Sequence, residues 1–85
     1  MLIQVKRNHI DDGVALSSTC CPIALACKAI GLEVWVDMYQ LKTIKNGEWR
    51  TYALPPQAVE FIRRFDAGES VSMFSFDLPI AASAG

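Results

Sequence analysis

The chain has 85 residues, which is room for one domain. A net charge of −1 with 20% charged residues argues against a dedicated nucleic-acid binder, which carries a clear positive excess. A hydrophobic content of 52% argues against disorder and supplies a core without covalent staples.

The first predicted element is a strand at Leu2 to Lys6, where apolar and polar residues alternate. Asn8 to Gly13 reads as a turn or a single helical turn. Ser17, Ser18 and Thr19 then offer N-cap oxygens, and Pro22 suits the first turn of a helix, where its missing N–H costs nothing. That helix runs to Ile30 and stops at Gly31. Ile23, Ala26, Cys27 and Ile30 form one apolar stripe. Ala24, Leu25 and Ala29 add apolar surface on its other sides, and Lys28 alone is charged. So apolar a helix is expected to be buried on more than one side, against its own sheet and a partner subunit.

Leu32, Val34, Val36 and Met38 alternate with Glu33, Trp35, Asp37 and Tyr39, the pattern of a half-buried strand. Strands at Leu41–Lys45 and Glu48–Ala53 flank Asn46-Gly47, a dipeptide that suits a type I′ hairpin turn because both positions need positive φ. The two-residue loop sets Lys45 opposite Glu48 and Ile44 opposite Trp49. Leu54-Pro55-Pro56 opens a second helix with Ala58, Phe61, Ile62 and Phe65 as its apolar stripe, closed by Gly68. Phe74, Phe76 and Leu78 alternate with Ser75 and Asp77 as a last strand.

The order β-α-β-β-β-α-β predicts a two-layer α+β fold, with a mainly antiparallel sheet and two helices on one face. The domain is expected to span residues 1–80, followed by a flexible tail at 81–85. Its predicted core is Ile3, Val5, Ile23, Leu25, Ile30, Val34, Val36, Phe61, Ile62, Phe65, Phe74 and Phe76.

Three cysteines, Cys20, Cys21 and Cys27, lie within one short stretch, unlike the even, spread set of a secreted disulfide scaffold. The start of the chain has no apolar signal-peptide core, and Ile23 to Ile30 is too short to span a bilayer. A reducing, cytoplasmic setting is expected. A thiol at a helix start feels the helix dipole, so Cys21 with His9 as its base is a candidate nucleophile pair. Zinc could be held by His9, Cys20 or Cys21, and Cys27, with Asp11 and Asp12 completing the set, yet the paired C-x₂₋₄-C spacing of structural zinc sites is missing. Small apolar thiols filling a helix–sheet contact fit the same residues better. No cofactor is expected, since the single, scattered glycines build no phosphate loop.

Lys42, Lys45 and Arg50 decorate the hairpin and make a weak nucleic-acid candidate, diluted by Glu48. The strongest candidate is a protein-contact surface. If the helices cover the Val34 and Val36 side, then Trp35 and Tyr39 point outward around Asp37, with Arg50 and Tyr52 near them. Trp, Tyr and Arg are enriched at interfaces. These five residues are the predicted partner-binding set, for a host protein or a second copy in a homodimer.

Four stretches carry a resemblance: His9-Ile10-x-x-Gly13, Cys21-Pro22-Ile23-Ala24-Leu25-Ala26, Leu54-Pro55-Pro56-x-Ala58-x-x-Phe61-Ile62-x-x-Phe65-Asp66-x-Gly68, and Phe74-x-Phe76-x-Leu78. Together they resemble small uncharacterised proteins of bacteriophages and prophages. The resemblance covers most of the chain, and its motifs are structural. It implies a phage accessory gene, and by analogy with such genes the expected function is that of a non-enzymatic protein-binding module that inhibits or redirects host or defence machinery. It carries no activity onto particular residues.

Overall fold

The computed structural model describes residues 1–80; the tail expected at 81–85 lies outside the described residues. The fold is α+β, with the elements β1 (Leu2–Val5), α1 (Arg7–Asp12), α2 (Pro22–Ala29), β2 (Val34–Val36), β3 (Gln40–Lys45), β4 (Glu48–Ala53), α3 (Pro56–Asp66) and β5 (Phe74–Asp77). The expected order holds, with the turn before Gly13 realised as the short helix α1.

The strands pair antiparallel but form two sheets, where one was expected. β1 pairs with β5, and β2, β3 and β4 form a meander. The reason lies at the outer edge of β2. There the Val36 N–H donates to the Ser18 carbonyl at 2.8 Å, so the loop before α2 occupies the edge that β1 would need.

α2 joins the two sheets. It packs on α1, on β1 of one sheet and on β2 of the other. Pro22, Ile23, Ala24, Ala26 and Cys27 are all buried. Much of its apolarity on several sides is therefore used inside the domain, while Ala29 and Ile30 stay exposed at its end. Cys21 is its N-cap, with its sulfur accepting from the Ala24 N–H at 3.5 Å, and Pro22 follows at the first turn. Gly13 lies against this helix start. A Cβ on Gly13 would come within 2.6 Å of the Pro22 ring, so only glycine allows the approach.

α3 lies on the two-stranded sheet through aromatic rings. Phe61 and Phe74 have centroids 4.6 Å apart, and Phe74 and Phe76 5.6 Å. One apolar cluster includes Ile3 and Val5 of β1, Ile23 of α2, Val34 and Val36 of β2, Leu41 of β3 and Phe61 and Ile62 of α3. The predicted core needs correction at Ile30, which is half exposed beyond the end of α2, and at Leu25, Phe65 and Phe74, which are half-buried. Leu41, Leu54 and Leu78 take their place inside. Burying each such side chain contributes about 1.5–3 kcal/mol.

Candidate contact surface on the three-stranded sheet

The register of the meander decides which side chains share a face. Trp35 lies opposite Lys42, and Lys42 opposite Thr51; Ile44 lies opposite Trp49. Residues directly opposite point to the same side, and neighbours along a strand to opposite sides. Trp35, Lys42, Ile44, Trp49 and Thr51 therefore share one face. Val34, Val36, Leu41, Thr43, Arg50 and Tyr52 share the other. The second face is the core side: Val34, Val36, Leu41 and Thr43 are buried, and the Thr43 hydroxyl donates to the Glu33 carbonyl at 2.9 Å.

On the open face the two indoles meet across β3. Their centroids are 4.7 Å apart and their planes tilted by 59°. Trp35, Lys42, Trp49 and Thr51 line a shallow cleft of about 400 Å³. Trp49 keeps 55% of its surface exposed. An indole pair of this geometry contributes roughly 0.5–1.5 kcal/mol beyond its buried area, so it braces the open face while presenting an apolar edge to solvent.

Of the five residues predicted as a contact set, Trp35 alone lines this cleft. Arg50 and Tyr52 fall on the opposite face, because their partners on β3 are Thr43 and Leu41. Tyr52 is half-buried against the core, and Arg50 pairs with Glu48 at 3.2 Å near the hairpin end. Asp37 shapes the β2–β3 turn, its Oδ1 accepting from the Tyr39 N–H at 2.8 Å and the Gln40 N–H at 2.7 Å. Tyr39 sits in that turn, 65% exposed. Trp49 lies outside the predicted set: the Ile44–Trp49 pairing is legible in the sequence, but the step from Trp49 to Trp35 needs the register of β2 on β3. The basic trio divides too, with Lys42 on the indole face and Lys45 and Arg50 on the other.

The thiols are arranged for packing. Cys21 and Cys27 are buried. Burial pushes the Cys21 thiol above its ordinary range and outweighs the lowering effect of the Ala24 and Ile23 N–H groups at the helix start. Burial, and then the neighbouring Cys21, pushes Cys27 up to about 12. His9 has a backbone role: its Nδ1 accepts from the Lys6 N–H at 3.0 Å, satisfying a donor at the start of α1. Its ring borders a cleft with Ala26, Ala29 and Ile30, whereas Cys21 borders a separate cleft with Ser17, Val36 and Ile62. Among the described residues no hydrogen bond joins the predicted Cys21–His9 pair; each side chain accepts from a backbone N–H instead. Among the described residues no three of His, Cys, Asp and Glu are grouped to hold a metal ion, and no helix is long and apolar enough to cross a membrane.

Comparison with protein-family models, with curated proteins and with solved structures finds no match to this chain.

Proposed function

We propose that this protein is a non-enzymatic protein-binding module whose contact surface is the open face of the three-stranded sheet, centred on Trp35 and Trp49. The observation that carries this reading is the tilted indole pair, with Trp49 more than half exposed beside Lys42 and Thr51. Aromatic side chains that are rigid, large and partly wet anchor interfaces at low entropic cost. The buried, protonated thiols support a non-catalytic reading. The resemblance to phage and prophage proteins supplies the setting: an accessory protein in the host cytoplasm that inhibits or redirects a host or defence protein.

The test is affinity capture from the host with the wild-type chain and with Trp35→Ala, Trp49→Ala and Lys42→Glu variants, each checked for a native circular dichroism spectrum. A specific partner retained by the wild type and lost by the folded variants supports the assignment. Equal capture by all would sink this face as the contact surface.

A further inference from the structure

β4 is an edge strand, and the hairpin geometry fixes which of its backbone groups are free. In a two-residue hairpin the closing pair, Lys45 and Glu48, exchanges hydrogen bonds, and bonded pairs then alternate along the ladder. The Leu54 N–H donates to the Tyr39 carbonyl at 2.9 Å, which agrees with that alternation at the far end. Glu48, Arg50 and Tyr52 therefore bond inward to β3. Trp49, Thr51 and Ala53 turn their N–H and C=O groups outward. Among the described residues none of these outward N–H groups has a partner. At the edge of β2, by contrast, the Val36 N–H is taken by the Ser18 carbonyl. All of β4 is exposed except Tyr52.

We infer that the free edge of β4 pairs antiparallel with β4 of a second copy of this chain, about a twofold axis at Thr51. This deepens the protein-binding reading and rests on it, since Trp49 belongs both to the indole cleft and to the edge. The choice of a second copy follows from how few registers survive. A twofold axis perpendicular to a continuous sheet keeps each residue on its own face, so the axis must pass through a residue. An axis at Trp49 overlaps only Glu48 to Arg50 and runs the rest of the edge against the turn. An axis at Arg50 sets two guanidinium groups directly opposite in a close, unbonded pair, which is unfavourable. An axis at Tyr52 runs Trp49 against Pro55, which has no N–H to give.

With the axis at Thr51 every outward group finds a partner. Thr51 meets Thr51, and Trp49 of each copy meets Ala53 of the other, forming about six new backbone hydrogen bonds. Threonine opposite threonine is a favourable cross-strand pair, and the largest side chain of the edge faces the smallest. On the other face Arg50 of each copy lies directly opposite Tyr52 of the other, within reach of a cation–π contact. The open faces of the two meanders become one six-stranded surface carrying both indole pairs.

Sedimentation velocity of the purified chain alone, across the micromolar range, tests this. The wild type is expected to show a concentration-dependent dimer. Thr51→Pro should weaken it roughly tenfold or more by deleting the central N–H, while the inward ladder stays intact. Thr51→Lys and Thr51→Glu should each be monomeric where the wild type dimerises, and an equimolar mixture of the two should recover a heterodimer. Preserved indole circular dichroism shows that the variants are folded. A wild type that stays monomeric, or folded Thr51 variants that dimerise as well as the wild type, overturns the inference. Neither result depends on a foreign partner, so failed capture from the host leaves this contact standing, and a monomeric wild type leaves capture untouched.

Discussion

The backbone N–H of Leu16 donates to the Asp66 carboxylate at 3.0 Å, a bond that joins the loop before α2 to the last residue of α3. Leu16 holds this position at φ 61, in the left-handed region, with 83% of its surface exposed. A leucine there gains almost nothing from burial and carries the steric cost of a Cβ in left-handed backbone. The same loop supplies the Ser18 carbonyl that covers β2, and with Cys21, Val36, Met38 and Ile62 it borders a cleft of about 330 Å³. Asp66 thus holds a strained loop that divides the sheets.

Two substitutions separate strain from tether. Leu16→Gly should stabilise the protein by up to about 1 kcal/mol, because glycine adopts positive φ freely and little packing is lost. Asp66→Ala should destabilise it by about 1 kcal/mol, the net worth of one hydrogen bond. Urea unfolding followed by tryptophan fluorescence measures both. A loss of stability in Leu16→Gly would show that the exposed leucine makes a contact of its own.

Gly13 is constrained by proximity. Its φ of −70 suits any residue, yet an added Cβ would meet two carbons of the Pro22 ring at 2.6 and 2.7 Å and the His9 carbonyl oxygen at 2.9 Å. A ring packed at a helix start and a backbone oxygen cannot swing aside. Gly13→Ala should therefore cost about 1–3 kcal/mol, the range for overpacking, and should loosen α1 from α2. Faster amide exchange in Arg7–Asp12 with slower change elsewhere checks the location of the damage.

The local signals are strong, and the order of elements and the hairpin register follow from them, although the alternation from Leu32 to Tyr39 yields a strand only at Val34–Val36 and leaves Met38 exposed. Asn46 and Gly47 do adopt φ of 52 and 79, and Ile44 does lie opposite Trp49. What the sequence left open was assembly. A period of two shows which residues share a side of one strand, but joining faces across strands needs the register of β2 on β3, set by the Asp37 turn. The division into two sheets goes with α2 packed on both β1 and β2 and with the Ser18 carbonyl bonded at the β2 edge, and no residue pattern announces either. The apolar surplus of α2 was visible, but apolarity cannot say whether the second covering surface comes from the same chain. Here β1 and β2 both come from it.

Glu60 provides a pH-dependent test on the surface. Hydrogen bonds from Arg63 and then Arg64 hold its carboxyl down from 4.5 to about 2. Its oxygens lie 2.6 Å from Arg63 Nη2 and 3.0 Å from Arg64 Nε, on successive turns of α3. The contribution is fully present above pH 4.5, where the unfolded carboxyl is already ionised, and is lost as pH falls toward 2. Glu60→Gln should lower the thermal midpoint slightly at neutral pH, and the two proteins should converge by about pH 2. The neutral-pH difference should shrink in high salt, because all three side chains are about half exposed. A difference that persists unchanged at pH 2 would mean that the effect is packing, not charge.

Cys27 provides the opposite test at the alkaline end. In the unfolded chain this thiol ionises near 9.0, while burial, helped by Cys21, keeps it protonated in the fold up to about 12. Its contribution is fully present below pH 9.0 and is lost as pH rises through that window to 12, because the unfolded state releases its proton first. Within the window this thiol alone should lower stability by about 1.4 kcal/mol per pH unit. Cys27→Ala should cost about 1 kcal/mol at pH 7, from the small cavity left in a fully buried position, and should flatten the alkaline decline. Cys21 is shifted in the same direction, so the double Cys21→Ala, Cys27→Ala variant should flatten it further. Denaturant titrations of the three proteins between neutral pH and pH 11 measure the slopes. Slow labelling of both buried thiols by iodoacetamide in the folded wild type should accompany the decline, with half-buried Cys20 reacting first. Rapid labelling of Cys21 at neutral pH would contradict its burial and reopen a chemical role for the helix start.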